Sequence, residues 1–185
     1  VYGFAIGDPI NFADPFGNRA CFQGSAADRF ELQHHTEVAT GTKFNVVQQN
    51  DGAHCAENVQ TVGQSTRRSR GFTEIAQATN YTLWIAKVLG VGSAVRGTRL
   101  EYDPTSLTNS YLVGAGGQCV QGPSYQAGQI VAHELGHFYA MATVPLFTHQ
   151  YAEAWEHEWS LANGQPLRPF WYSHGFGCNQ HPTIP

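Results

Sequence analysis

Residues 132–140 read AHELGHFYA, and how this run is read decides the fold expected around it. On a helix, His133 and His137 lie one turn apart on the same face, so their imidazoles converge on one point. Glu134 sits one position round, where its carboxylate reaches a water at that point without being a ligand itself. This is the spacing of zinc-assisted hydrolysis, in which the ion lowers the pKa of a water toward about 7 and the carboxylate takes its proton. With nine His and nine Glu among 185 residues, the His-Glu-x-x-His pattern arises by chance only about 0.02 times. Ile130 and Leu135 give the helix apolar sides, and Gly136 lets a neighbouring backbone come close.

Working outward, Pro123-Ser124 reads as the opening of this helix, and Pro145 in TVPLFT (143–148) as the break after it. Thr148 is placed to cap a further helix, HQYAEAWEHEWSLA (149–162), stopped at Asn163-Gly164. Upstream, TRLEYD (98–103) and NSYLVGAG (109–116) read as strands bounded by turn residues, and supply the sheet edge along which an extended peptide pairs. Apolar residues between Thr73 and Leu89 recur near helical spacing, with Thr73 as cap and Gly90 as stop, and predict a helix of about four to five turns. FNVVQQ (44–49) reads as a strand, followed by a polar loop at NDGAHCAEN (50–58). The segment from 165 onward, rich in Pro, Gly and aromatics, reads as irregular but packed. The expected architecture is therefore α+β and zincin-like: a small sheet, an active-site helix, a backing helix at 73–89 and a third, ligand-bearing helix.

Composition bounds the rest. A chain of this length is one domain with at most a short appendage, and its apolar fraction of 42% suffices for a core. A formal net charge of −4 gives no electrostatic reason to expect nucleic acid as a partner. The one basic cluster, RRSR (67–70), reads as a solvated loop. No apolar run is long enough to span a bilayer, and a conventional signal peptide is expected to be absent or already removed. Cys21, Cys55, Cys119 and Cys178 contain no CxxC pair, which argues against a cysteine zinc site. Two disulfides in an oxidising compartment and four buried thiols in a reducing one fit the spacing equally well. His34, His35 and His54 read as surface residues in polar loops. Tyr172 and His174, in FWYSHG, are candidate donors to the oxyanion of a tetrahedral intermediate, set against a packed-tail role.

A catalytic zinc needs a third protein ligand, with one position left for water. The run after His137, FYAMAT, carries no Gly-x-x-His of the metzincin kind, and no Gly-Thr-x-Asp follows. The helix at 149–162 offers His149, Glu153, Glu156 and His157. HQYAEAW (149–155) resembles the Glu-x-Phe-Ala-Glu-Ala-Phe segment of lethal-factor-like toxin metallopeptidases. That resemblance implies a ligand at His149, where the family has Glu, and a supporting carboxylate at Glu153. By spacing alone Glu156 is a rival, because eighteen residues separate it from His137, as in gluzincin aminopeptidases. A third option makes Glu153 the ligand with His157 behind it. The order of preference is His149, Glu153, Glu156.

The opening residues point to a context. YGFAIGDPINFADPFGN (2–18) resembles the end of the conserved core of Rhs/YD-repeat proteins, Tyr-x-Tyr-x-x-Asn-x-Pro-x-Asn-x-x-Asp-Pro-x-Gly-Leu. Tyr2, Phe4, Pro9, Asn11, Phe12, Asp14, Pro15 and Gly17 fall on that pattern, while Gly7 and Asn18 depart from it. The resemblance implies a division into 1–18, the end of an Rhs core, and 19–185, a toxin domain. It implies an Rhs shell as carrier, secretion or delivery into a target cell, and a cognate immunity protein. Autocleavage at the Asp-Pro-Phe-Gly-Asn segment is left open by the change at Asn18. The expected function is thus a Zn²⁺-dependent metallopeptidase effector acting on a protein or peptide. The alternatives are a zinc-binding scaffold that sequesters a partner or metal, and a zinc hydrolase acting on another amide or ester.

Overall fold

The structure, a computed structural model, describes residues 19–78, 81–106, 109–113, 119–124, 126–143 and 148–165, with backbone alone given for 106, 109–113 and 119–124. Strand β1 (Arg19–Phe22) leads into helix α1 (Ala26–Thr40), hairpin strands β2 (Thr42–Gln48) and β3 (His54–Thr61), and helix α2 (Arg67–Gln77). Then come β4 (Thr82–Lys87), β5 (Ala94–Arg96), β6 (Arg99–Tyr102), a 3-10 turn at Pro104–Ser106, and the hairpin β7 (Asn109–Val113) and β8 (Cys119–Ser124). Helices α3 (Ala127–Thr143) and α4 (Thr148–Ala162) follow.

The chain is α+β. Six strands form one mixed sheet in the order β2-β3-β1-β4-β6-β5, and β7 pairs with β8 separately. The centre is parallel, with β4 between β1 and β6, while β3 and β5 run antiparallel to their neighbours. Strand β5 forms one edge of this sheet. Helix ends are set by local chemistry. Ser25 and Asp28 form a reciprocal capping box at the start of α1, and Gly41 ends it in the left-handed region at φ 68°. Thr66 and Ser69 do the same for α2.

One apolar core joins the sheet to the helices. Phe22, Leu83, Ile85 and Leu100 meet Leu32 of α1, Phe72 and Ile75 of α2, and Val131, Leu135 and Phe138 of α3. Helix α3 packs against α1 and α2 and reaches the β5–β6 edge, and α4 lies along α3. Cys21 and Cys55 occupy paired positions on β1 and β3 and form a disulfide. Side chains alternate across a strand, so this bond sits on the sheet face opposite Ala20 and Phe22. The choice between thiols and disulfides is settled for this pair, and Cys119 and Cys178 have no described side chains.

Several expectations give way here. The backing helix expected at 73–89 ends at Gln77, and residues 82–87 form the central strand β4. Leu83 and Ile85 are fully buried between two parallel neighbours. A short apolar run buried in a parallel sheet loses the alternation that marks a strand, and so mimics a helix segment. The backing role passes to α2, capped by Thr66 rather than Thr73. RRSR is not a solvated loop but the first turn of α2. Arg68 is 3% exposed; its guanidinium pairs with Glu158 of α4 at 3.3 Å and donates to the Ala39 carbonyl near the end of α1. Glu158 also accepts the backbone N–H groups of Arg67 and Arg68, placing an anion at the α2 N-terminus. Pro123-Ser124 closes β8 rather than opening α3. His34 and His35 lie on α1 and His54 starts β3, so none is in a loop. His35 is half-buried against Tyr102, ring centroids 5.3 Å apart. The expected strands at 44–49 and 98–103 and the helix at 149–162 coincide with β2, β6 and α4.

Candidate metal centre and cleft

The centre is built where α3 and α4 approach most closely. A Cβ added to Gly136 would lie 2.7 Å from Ala152 Cα and 2.9 Å from the Tyr151 carbonyl oxygen. Backbone there touches backbone, as only glycine permits. This contact holds α4 against the α3 face that carries the two histidines. Trp155 and Trp159 of α4, both buried, close the same seam, with Trp159 against Gly128 and Trp155 against Gly71 of α2.

His133 Nε2 and His137 Nε2 lie 3.1 Å apart. Two nitrogens bound tetrahedrally to one zinc at ~2.0–2.1 Å each are separated by roughly 3.3 Å. The observed pair is at hydrogen-bonding distance, a few tenths of an ångström inside that separation. His149, at the start of α4, brings its ring centroid to 5.0 Å from that of His137. Among the described residues no set of three His, Cys, Asp or Glu side chains is drawn together as a complete metal cluster. The His133 and His137 imidazoles converge, and His137 and His149 line one cleft. On the far side, His133 Nδ1 lies 3.0 Å from Glu156 Oε2, and Gln129 Nε2 donates to Glu156 Oε1 at 2.8 Å. Both Glu156 oxygens are thus engaged away from His133 Nε2. Glu153 is buried on the same α4 face, one turn on from His149.

A cleft of about 270 Å³ opens in front of His137 and His149. Its lining is Ser93, Ala94 and Val95 on one wall and Glu134, His137, Met141, Thr148 and His149 on the other. The Glu134 carboxylate accepts a hydrogen bond from the Val95 backbone N–H. The first wall is edge strand β5, held in place by Asp103. That carboxylate accepts from the Val91 and Gly92 N–H groups at 2.9 and 2.8 Å, and from Thr105 N–H and Oγ1 at 2.8 and 2.6 Å.

The electrostatics follow from burial. Burial, and then the nearby Glu156, push Glu134 up to about 7, opposed by the Val95 N–H. A carboxyl poised there both takes and returns a proton near neutrality. Burial, and then His149 and His157, push His133 down to about 4, leaving it neutral at pH 7. Burial also raises Glu156 to about 7, against the hydrogen bond from Gln129.

No family model, no curated protein and no solved structure matches this chain. The centre is therefore argued from its own residues. It brings together His133, Glu134, His137 and His149, with Glu156 behind His133. Tyr172 and His174 lie outside the described residues, as do 1–18. Reading by motif missed Gln129, although its place one turn before His133 on the same face is visible in the sequence. It also missed the Val95 N–H and the rest of the β5 wall. A main-chain donor on a three-residue strand leaves no side-chain signal.

Proposed function

We propose that this chain is a zinc-dependent metallopeptidase of zincin-like architecture, the effector portion of an Rhs-type protein delivered to a target cell. The observation that carries the reading is a single juxtaposition. Helix α3 presents Glu134 and His137 to a cleft whose opposite wall is an antiparallel edge strand, with His133 buried beside His137.

His133, His137 and His149 would hold the ion, with Glu153 and Glu156 as the other acidic residues on the α4 face. A zinc ion bound there supplies Lewis acidity and brings a water within reach of deprotonation near neutral pH. Glu134 receives the proton of the attacking water and delivers it to the departing amine, one group serving as base and then acid. Among the described residues no strand covers the outer edge of β5, so its main-chain groups are available to an extended peptide as an added strand. Pairing at Val95 transfers its N–H from Glu134 to the peptide and leaves the carboxylate free for the water.

The opening Rhs-like segment supports the carrier and, through it, a cognate immunity protein. The Cys21–Cys55 disulfide supports passage through an oxidising compartment, where such bonds form and persist. Among the described residues no helix is long and apolar enough to cross a membrane.

Glu134→Gln tests the reading. Purified wild type and variant are compared by zinc content and by digestion of a peptide library. The expected result is equal zinc, retained stability, and cleavage reduced by about 10²–10⁴. Equal cleavage by both proteins would remove hydrolysis through this site. Stoichiometric zinc with no peptide cleavage by wild type would favour sequestration, or hydrolysis of a different amide or ester.

A further inference from the structure

Residues 88–95 read VLGVGSAV, an uncharged run between Lys87 at the end of β4 and Arg96 at the end of β5. Its second half, Ser93, Ala94 and Val95, is one wall of the cleft. Its first half is the β4–β5 loop, where Leu89 and Val91 stand 68% and 63% exposed. We propose that this loop is a docking tip for the substrate chain. Leu89 and Val91 receive apolar side chains of an extended peptide, a few residues to one side of the scissile bond. The inference rests on the metallopeptidase reading and deepens it, by naming the kind of segment such an enzyme selects.

An exposed leucine or valine standing singly needs no explanation. This loop differs because its backbone is fixed around the pair. Gly90 and Gly92 hold φ 74° and 80°, a region glycine adopts readily, and turn the chain on both sides of Val91. The buried Asp103 carboxylate accepts the Val91 and Gly92 N–H groups. Thr105 Oγ1 accepts the N–H of Gly90 at 3.2 Å, and Ser93 Oγ accepts that of Asp103 at 2.9 Å. Val88 N–H closes the base on the Tyr102 carbonyl at 2.9 Å. The backbone is thus bonded inward while the two apolar side chains stay in water. A loop ordered before contact loses little conformational freedom on binding, so more of the apolar area covered there appears as affinity.

Position chooses the occupant. Only Gly92 separates Val91 from Ser93, so a chain that lies along β5 and leaves the cleft at its Ala94 end passes the tip at ~3.3 Å per residue. The cleft continues the character of the tip. Apart from Glu134, His137 and His149, its lining is Ser93, Ala94, Val95, Met141 and Thr148, without a charge. The other end of β5 is different. There Arg96 pairs with Glu101 at 3.2 Å, and Arg99 pairs with the same carboxylate at 3.3 Å. Selection for apolar side chains is therefore one-sided.

In the test, the zinc-loaded full chain and its double variant Leu89→Ser/Val91→Ser digest a peptide library, and the cut sites are sequenced. Wild type is expected to favour apolar side chains roughly two to five residues from the cut, on one side only. The double variant is expected to lose that enrichment and to keep its Tm, because both side chains are exposed. One cleaved peptide is then compared with its copy carrying serine at the enriched positions. Wild type is expected to show about a 10-fold higher KM for the serine copy, and the double variant about equal values. Leu89→Met/Val91→Ile is expected to keep the preference, which a loop that only supports the fold would not require. If the double variant does not fold, the single serine variants replace it, each losing part of the preference. Cleavage that depends on Glu134 but shows no one-sided apolar enrichment overturns the proposal and leaves the metallopeptidase reading standing. So does an enrichment that survives both serines. A wild-type dimer in sedimentation, lost in the double variant, would assign the tip to a second copy and overturn it as well. If wild type cleaves no peptide, or Glu134→Gln cleaves equally, the metallopeptidase reading fails and this inference falls with it.

Discussion

The two faces of α3 do different work. Val131, Leu135 and Phe138 face the sheet, α1 and α2, and enter a core made of aliphatic and aromatic side chains. Gln129, His133 and Gly136 face α4, where they meet Glu156, Ala152 and the Tyr151 carbonyl. The first face gains stability by removing apolar area from water, about 25 cal/mol per Å². The second desolvates a carboxylate and an imidazole, which packing does not require. A helix whose one side stabilises the fold so strongly tolerates a costly polar seam on the other. The seam's precision is inherited from the core, because the core fixes where α3 lies.

That division can be broken from either side. The largest stability effect is expected on the apolar face: Leu135→Ala should cost about 2–5 kcal/mol, read by denaturant unfolding. The fraction that remains folded should bind zinc as wild type does. A loss of zinc affinity larger than the loss of folded protein would show that the two faces are not separable. Next is Gly136→Ala, where the added methyl meets backbone of α4 rather than a yielding side chain. It should cost about 1–3 kcal/mol and also weaken zinc binding, because α4 carries His149 away as it moves. A variant that loses stability but keeps wild-type affinity would remove His149, and α4 with it, from the ligand set.

The smallest effect concerns the opposite wall of the cleft. Hydrogen bonds, first from Thr105 and then from the Gly92, Thr105 and Val91 N–H groups, hold Asp103 down to about 2, below its ordinary 3.8. A carboxylate whose folded pKa is depressed stabilises the fold above its unfolded value, and that contribution fades as pH falls through the folded one. Asp103→Asn should therefore lower Tm at neutral pH, with the gap to wild type closing between about pH 4 and pH 2. Thermal melts across that range check it. A gap independent of pH would mean that the loop before β5 is held by other contacts. If the gap behaves as expected, peptide cleavage by the variant should fall through a raised KM, because β5 loses its anchor and the edge loses its register.

Much of this was readable in advance, and for physical reasons. His-Glu-x-x-His needs only helical periodicity to converge, so one helix determines the pair and the carboxylate beside it. Gly136 announced a close approach because a missing side chain inside a helix has few other uses. α4 was visible from its ends, Thr148 and Asn163-Gly164. β4 was misread because four apolar residues in a row carry no period, and only burial between two parallel neighbours makes them a strand. β5 left no trace because three residues at a sheet edge bury little. The third ligand stayed open because His149, Glu153 and Glu156 all fall on one stripe of α4, and sequence spacing ranks them poorly.

By itself, then, the sequence determined the local chemistry: two imidazoles and one carboxylate on one helix, and a second helix whose polar stripe could answer them. Tertiary structure decided what those groups face. It paired Cys21 with Cys55, buried Arg68 against Glu158 and Ala39, and set Glu156 behind His133 and β5 across from Glu134. Each of these joins residues far apart in the chain. Their contact depends on sheet order and on the Gly136–Ala152 approach, and no period within a single element encodes either one.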